Sequence, residues 1–116
     1  MRTGVQVVEN KTEILRGTLD MLILKTLSLA PLHGLGISRR IEQITDGVFQ
    51  VKPGSLFPAL HRMEQEGWIK GAWGESENNR RAKYYELTVA GQARLGEEKL
   101  GWSHLVLTIG KVLEAS

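Results

Sequence analysis

The chain has no cysteine, only three prolines and few aromatic residues, which make up 6% of its 116 residues. The absence of cysteine excludes disulfides, thiolate nucleophiles and cysteine-ligated zinc. No apolar run approaches the roughly 18 residues that a membrane-spanning helix needs, and residues 1–10 mix polar side chains with valines, unlike a signal peptide. We therefore expect a soluble, cytoplasmic protein without a membrane partner, small enough to be a single domain.

The sequence also lacks the arrangements that catalysis requires. It has no glycine-rich phosphate loop after a strand, and its three histidines, His33, His61 and His104, are far apart. We therefore predict that the protein is not an enzyme and has no metal site and no cofactor. The net charge is only +2, so the positions of the basic residues say more about partners than their number does.

Apolar residues recur with helical spacing in three successive segments. The first segment runs from residue 12 up to Pro31, and the second follows PLHGLG and ends near Thr45. The third begins near Gly54 or Ser55 and ends at Gly67, because glycine commonly follows the last turn of a helix. The spacing therefore predicts three consecutive helices with tight turns.

An alternation with a period of two follows the third helix. WIKGAW and RAKYYEL predict two strands joined by a polar turn, and Thr88 is placed to cap a final helix over residues 89–114. Three helices and a hairpin are the element order of a winged helix-turn-helix. We predict a mainly α fold with a small β-hairpin: a flexible arm at 1–11, a DNA-binding winged helix-turn-helix domain at 12–87 and a dimerisation helix at 88–116.

The third helix contains two prolines, at positions 53 and 58. A proline inside a helix removes a backbone donor and crowds the preceding turn. If the helix begins near Gly54 or Ser55, Pro58 lies in the first turn, where an N–H has no partner within the helix, and Pro53 lies outside. We therefore expect a tightly specified helix start whose remaining free N–H groups can face DNA phosphate.

Basic and small residues mark the surface that would meet DNA. In a winged helix-turn-helix the third helix enters the major groove and the hairpin contacts a neighbouring backbone or the minor groove. The hairpin turn, NNRRAK, carries three cations within four positions, which is what contact with phosphates requires. The predicted DNA-binding residues are Lys52, Ser55, Pro58, His61, Arg62, Asn79, Arg80, Arg81 and Lys83.

The last predicted helix carries more apolar residues than a domain of this size can cover. They form a stripe of Leu95, Trp102, Val106, Ile109 and Leu113. A second copy of the chain could bury that stripe, so we predict a homodimer. Trp68 and Trp73, at the two ends of the first predicted strand, are expected to pack in the core of the hairpin.

The stretches LRGTLDMLILKTLSLAPLHGLGISRRIEQ, VKPGSLFPALHRMEQEGWIKGAW and ENNRRAKYYELTVAGQARL are similar to the PadR family of bacterial winged-helix transcriptional regulators. The resemblance covers residues 13–113 and is to the short form, with a single C-terminal helix. It implies a homodimer that binds an inverted-repeat DNA operator, usually as a repressor. It also implies that the first and last helices build the dimer, which adds Leu15 and Leu19 to the predicted interface.

Three positions depart from the pattern of that family. The family commonly has tyrosine where this chain has Leu35 and Phe57, so two hydroxyl groups are missing. At Phe57 the alternative to a phosphate contact is van der Waals contact with a sugar or a thymine methyl group, and Phe57 joins the predicted DNA-binding residues. Pro53 stands where the family commonly has a polar residue, so we expect a stiffer entry to the third helix.

Alternatives remain for Trp102 and for the function. Trp102 either packs in the dimer interface as an apolar anchor or, with its counterpart in the partner subunit, flanks a cavity for a flat aromatic effector, as in ligand-responsive short members of the family. Winged helices also serve as protein-docking modules that do not bind DNA. Arg80 and Arg81 favour DNA binding, because a docking wing would expose apolar side chains instead.

Overall fold

A computed structural model describes residues 18–116, so the predicted arm at 1–11 and the predicted interface residue Leu15 lie outside the described residues. Helix α1 occupies residues 18–29 of the described chain. Its apolar stripe is buried and contributes Leu19, Ile23, Leu24 and Leu27 to the core. The first predicted helix is therefore confirmed over this range, because the apolar residues that recur along it lie in the core or pack against it.

A short strand that the sequence did not predict separates the first two helices. Strand β1, Leu32–His33, is followed directly by helix α2, Gly34–Ile44. The helix begins where Nδ1 of His33 accepts a hydrogen bond from the N–H of Gly36 at 2.9 Å. The imidazole thus takes the capping role that a serine or aspartate side chain usually has.

Helix α3, Pro53–Gln65, begins before its predicted start, so the interpretation of its prolines was wrong. Pro53 is the first helical residue, where a missing N–H loses no bond. Pro58 is the sixth, and it lacks the N–H that would donate to the carbonyl of Gly54. The helix continues through Pro58 because apolar side chains on either side of it stay buried in the core.

The predicted hairpin is confirmed and is part of a larger sheet. Strand β2, Ile69–Glu75, pairs antiparallel with strand β3, Arg81–Leu87, so that Ile69 lies opposite Leu87. Strand β1 pairs with the other edge of β3, which gives a three-stranded antiparallel sheet in the order β1-β3-β2. We call the β2–β3 hairpin the wing.

Helix α4, Val89–Leu113, begins against the sheet and then leaves the domain. The hydroxyl of Thr88 caps it by accepting a hydrogen bond from the N–H of Gly91 at 3.0 Å. A side chain at Gly91 would collide with the backbone carbonyl of Trp68, so this close approach requires glycine. Gly91 and Leu95 are the buried residues of α4, and most of the remaining residues of the helix are exposed.

Candidate nucleic-acid interface

Helix α3 turns one side to the core and the opposite side to solvent. The buried side consists of Leu56, Ala59, Leu60 and Met63. The exposed side, which we call the outer face of α3, consists of Gly54, Pro58, His61 and Gln65. These four residues are spaced at i, i+4, i+7 and i+11, so they form one line along the helix. Pro58 and His61 were predicted to bind DNA, whereas Gln65 was not, although glutamine can read an adenine edge.

The N-terminus of α3 offers less to an anion than the sequence suggested. Lys52 is the exposed N-cap residue, and its carbonyl accepts hydrogen bonds from the N–H groups of Ser55 and Leu56 at 3.0 and 2.9 Å. Pro53 has no N–H to donate. The exposed side chains of Lys52 and Ser55, rather than a set of free backbone donors, are therefore what this end of the helix presents.

Phe57 lies between the outer face and helix α2. Its ring packs against Gly34, where an added Cβ would come within 2.8 Å of two ring carbons. The side chain is nevertheless 49% exposed. Part of the ring is thus anchored by the start of α2, and the remainder is accessible for apolar contact.

Arg62 is turned away from the outer face and toward α1. Its two terminal nitrogens donate to the two carboxylate oxygens of Asp20 at 2.7 and 2.9 Å. This hydrogen bond raises the pKa of Arg62 above its usual value, an effect that partial burial opposes. The structure thus places a predicted DNA-binding residue in a bidentate ion pair with another helix.

Backbone hydrogen bonds define the turn of the wing, and the exposed cations follow directly after it. The N–H of Ser76 donates to the carbonyl of Arg80 at 2.8 Å, and the N–H of Asn79 donates to the carbonyl of Ser76 at 3.0 Å. Asn79 has a φ of 58°, a left-handed conformation that asparagine tolerates better than most residues. Arg80 and Arg81 follow at once and are exposed, as contact with phosphates requires.

Lys83 joins the wing to α3 and does not extend into solvent. Its Nζ donates to a carboxylate oxygen of Glu64 at 2.9 Å and lies 5.6 Å from the centre of the Tyr85 ring. The bond to Glu64 raises the pKa of the Lys83 ammonium. Lys83 therefore links the wing to α3, and the side of the hairpin that carries Lys83 faces α3.

Trp73 lies on that same side of the wing, away from the core position that was predicted for it. It pairs opposite Lys83 in the register of the hairpin, and it is 62% exposed, so the expectation of a core position was wrong. The guanidinium of Arg81 lies 5.2 Å from the centre of its ring, a cation–π arrangement. We call Trp73, Arg81 and Lys83 the inner face of the wing. Trp68, in contrast, packs against the core as expected.

The second half of α4 exposes a long apolar surface. Trp102, Val106 and Ile109 are 42%, 48% and 48% exposed, and Leu113 is 78% exposed. Two other residues predicted at the dimer interface, Leu19 and Leu95, are instead buried in the core of the single chain. That part of the prediction needs correction, because side chains already covered within one subunit have little surface left for another.

Trp102 also borders a cleft of about 380 Å³ between α1 and α4. Its walls are formed by Thr18, Met21, Arg94, Glu97, Glu98, Gly101, Trp102 and Leu105. Arg94 forms part of one wall of the cleft. Its guanidinium lies 4.7 Å from the centre of the Trp68 ring and pairs with Glu98 at 2.6 Å. The lining of the cleft combines an indole, a thioether and charged groups.

The part of the chain that the structure describes, residues 18–116, contains no group of three or more histidine, aspartate or glutamate residues arranged to hold a metal ion. Nor does any helix in it combine the length and apolar character that crossing a bilayer demands.

Three helices, a small antiparallel sheet that ends in a basic hairpin, and a projecting C-terminal helix define a winged helix-turn-helix protein. The sequence model of the transcriptional regulator PadR-like family matches residues 23–97. The chain therefore belongs to the PadR-like family of transcriptional regulators, as its sequence motifs predicted.

Individual relatives agree with this assignment. The crystal structure of a PadR-like transcriptional regulator from Bacillus cereus is 30% identical, with a TM-score of 0.77 over 90% of this chain and 99% of that one. The structure of a transcriptional regulator from Clostridium thermocellum is also 30% identical, with a TM-score of 0.79 over 85% of this chain and 96% of that one. Uncharacterized protein X of Lysinibacillus sphaericus is 30% identical over 104 residues, 90% of this chain and 95% of that protein.

Proposed function

We propose that this PadR-like regulator binds double-stranded DNA as a homodimer, with α3 in the major groove and the wing on the adjacent backbone. The observation that carries the proposal is the bond between Lys83 and Glu64, at 2.9 Å. Because that bond joins the wing to α3, the outer face of α3 and the inner face of the wing form one continuous surface. A duplex can contact both at once.

The charges on this surface support DNA as the partner. Lys52 at the start of α3 and Arg80 and Arg81 on the wing are exposed cations. Three such cations in each subunit make six in a dimer, and each phosphate that they neutralise releases a counterion. The logarithm of the binding constant should then fall with the logarithm of the salt concentration with a slope of roughly −5.

The exposed apolar surface of α4 supports the dimer. Trp102, Val106 and Ile109 are each more than 40% exposed along one helix. A contiguous apolar surface of this length is unusual on a monomer, and a second copy of the same helix offers matching side chains. A twofold axis at α4 would present two copies of α3 to the two halves of an inverted-repeat operator, about 34 Å apart.

We propose repression as the regulatory outcome and the cleft at Trp102 as the place where a flat aromatic effector would act. Side chains of α1 and α4 both line that cleft, so an occupant would contact both helices. Such a compound can release DNA only if it binds the DNA-free and DNA-bound states unequally. Unchanged tryptophan fluorescence and unchanged operator binding across a panel of planar aromatic compounds would argue against this step.

A gel-shift titration with the DNA upstream of the regulator's own gene tests the main proposal. The expected result is a specific, discrete complex at low salt that competitor DNA of unrelated sequence does not remove. A footprint should then show two protected half-sites related by inverted symmetry. The absence of any specific complex at low salt would refute DNA binding as the function.

A protein-docking module is the second candidate, and the exposed indole of Trp73 on the wing favours it. Arg81 stacks on that indole and keeps the wing cationic, which is why we rank DNA binding first. The two functions differ in their response to salt, because docking of a protein through Trp73 would not show the steep slope of phosphate binding.

A further inference from the structure

The ion pair between Arg62 of α3 and Asp20 of α1 is made by two hydrogen bonds. Both terminal nitrogens of Arg62 and both oxygens of Asp20 take part, at 2.7 and 2.9 Å. The Asp20 side chain is 23% exposed and that of Arg62 is 52% exposed. A two-bond fork of this kind fixes direction as well as distance, so it specifies how α3 lies against α1.

The position of Arg62 on α3 agrees with this geometry. Neighbouring residues on a helix point about 100° apart, so Arg62 does not share the line of His61 on the outer face. Arg62 lies on the side of the helix that is turned toward α1, as its contact with Asp20 shows.

A second ion pair holds the helix from the wing. Glu64, two residues after Arg62, accepts the hydrogen bond from Lys83 at 2.9 Å. The C-terminal half of α3 is thus tied to α1 by one pair and to the wing by the other. The outer face lies between these two attachments and keeps its own side chains exposed.

We propose that Arg62 is a positioning residue: through Asp20 it orients α3 for DNA and does not itself contact DNA. This inference rests on the proposed DNA-binding function. To bind a phosphate, Arg62 would have to release both hydrogen bonds to Asp20 and leave that carboxylate without its partner near the anionic backbone.

The two roles for Arg62 predict opposite effects of removing its partner. If Arg62 positions α3, Asp20→Asn weakens operator binding by roughly threefold to tenfold, the range of a modest ion pair, and leaves the salt slope unchanged. If Arg62 binds phosphate in the wild-type complex, Asp20→Asn removes the carboxylate that competes for it, so binding tightens, while the salt slope, which already includes this contact, stays the same. Fluorescence anisotropy with the operator over a series of salt concentrations measures both quantities.

Glu86→Gln is the matched control for Asp20→Asn. Glu86 pairs with Lys70 at 3.3 Å in an exposed ion pair on the side of the wing turned away from α3. The control removes the same negative charge without touching α3, so it measures how much affinity changes from net charge alone. Binding by Asp20→Asn that equals or exceeds that of the control would overturn the positioning role.

Two further variants test the geometry of the pair. Arg62→Lys keeps the positive charge but loses the planar fork, so a positioning role predicts a loss close to that of Asp20→Asn, whereas a phosphate contact predicts nearly wild-type binding. The double exchange Asp20→Arg with Arg62→Asp should restore most of the affinity if the pair only orients the helix. Failure of the exchange to recover any affinity, in a protein with a wild-type urea midpoint, would contradict the proposal.

Urea unfolding of each variant separates a loss of position from a loss of folding. Binding is compared only at temperatures where the variant is fully folded, and Arg62→Lys serves if Asp20→Asn unfolds too readily. A wild-type protein that forms no specific DNA complex would overturn the proposed function, and this inference with it. A wild-type complex with tighter binding by Asp20→Asn would overturn the inference alone.

Discussion

Removing the two exposed arginines of the wing should change how DNA binding responds to salt. Arg80 and Arg81 lie at the start of strand β3 and are exposed, and Arg81 is held over the indole of Trp73 at 5.2 Å. Neither arginine is needed by the core, so the double variant Arg80→Ala with Arg81→Ala should fold normally. Its DNA contacts would then rest on Lys52 and the outer face of α3.

The expected magnitude follows from counting phosphates. Six cations in a wild-type dimer predict a slope of roughly −5, and the loss of four leaves two, which predicts roughly −2. Between about 50 and 200 mM salt, the wild-type binding constant should therefore fall about a thousandfold and that of the variant only about tenfold. Binding should weaken on all sequences alike, because phosphate contacts carry no base information.

The assay is anisotropy with labelled operator and with unrelated DNA of equal length over that salt range. Lys99→Ala with Lys111→Ala is the matched control, because it removes the same charge from α4, where both lysines are exposed. The control should retain the wild-type slope. An unchanged slope in the wing variant, or an equal loss of slope in the control, would refute the assignment of Arg80 and Arg81 to phosphates.

Three other expectations concern the dimer, the packing of α4 and the wing. Ile109→Glu, on the exposed stripe, should give monomers in sedimentation velocity, whereas Val89→Glu, at the start of α4 and 90% exposed, should not. Gly91→Ala should lower the free energy of unfolding by about 3 kcal/mol through overpacking. Gly96→Ala, where an added Cβ meets nothing within 4 Å, should raise it by up to about 1 kcal/mol in urea titrations. Trp73→Ala should weaken DNA binding a few-fold at an unchanged salt slope, since an exposed cation–π contact is worth about 0.5–1 kcal/mol.

Hydrophobic periodicity was enough to predict the helices and the hairpin, because each of these elements buries a face that repeats along the chain. Strand β1 was not predicted because it is only two residues long, Leu32–His33. It forms by pairing with Tyr84 and Tyr85, which lie far along the sequence. A period cannot be detected in two residues. The exposed position of Trp73 was not predicted for a related reason, because no feature of the neighbouring sequence shows that the end of strand β2 extends beyond the core.

The candidate site was harder to predict than the fold, because a sequence shows which residues are charged but not where their side chains point. Arg62, Arg80, Arg81 and Lys83 were equivalent as basic residues, yet two of them pair with carboxylates of other elements and two face solvent. The pairing of Arg62 joins positions 42 residues apart, so no spacing rule could have found it. For the same reason, the helical spacing of Leu19 and Leu95 predicted that both side chains are buried, but not whether their own chain or a partner subunit buries them.

Helix α1 connects the cleft at Trp102 with helix α3. Met21 lines the cleft, and its neighbour Asp20 holds Arg62 of α3. An occupant that displaces α1 would therefore move the carboxylate that orients α3. By reciprocity, the factor by which a compound weakens DNA binding equals the factor by which DNA weakens the compound.

Asp20→Asn should therefore remove the coupling between the cleft at Trp102 and the DNA-binding surface of α3, while each can still bind its own ligand. A planar aromatic compound should still quench tryptophan fluorescence with wild-type affinity, because Asp20 does not line the cleft. The same compound should no longer change the anisotropy of bound operator, whereas it does so in the wild type and in the Glu86→Gln control. Trp102→Phe identifies the fluorescence that comes from the cleft. Retention of the full wild-type effect of the compound in Asp20→Asn would show that the signal reaches α3 by a different path, because the ion pair would then be absent while the coupling remained.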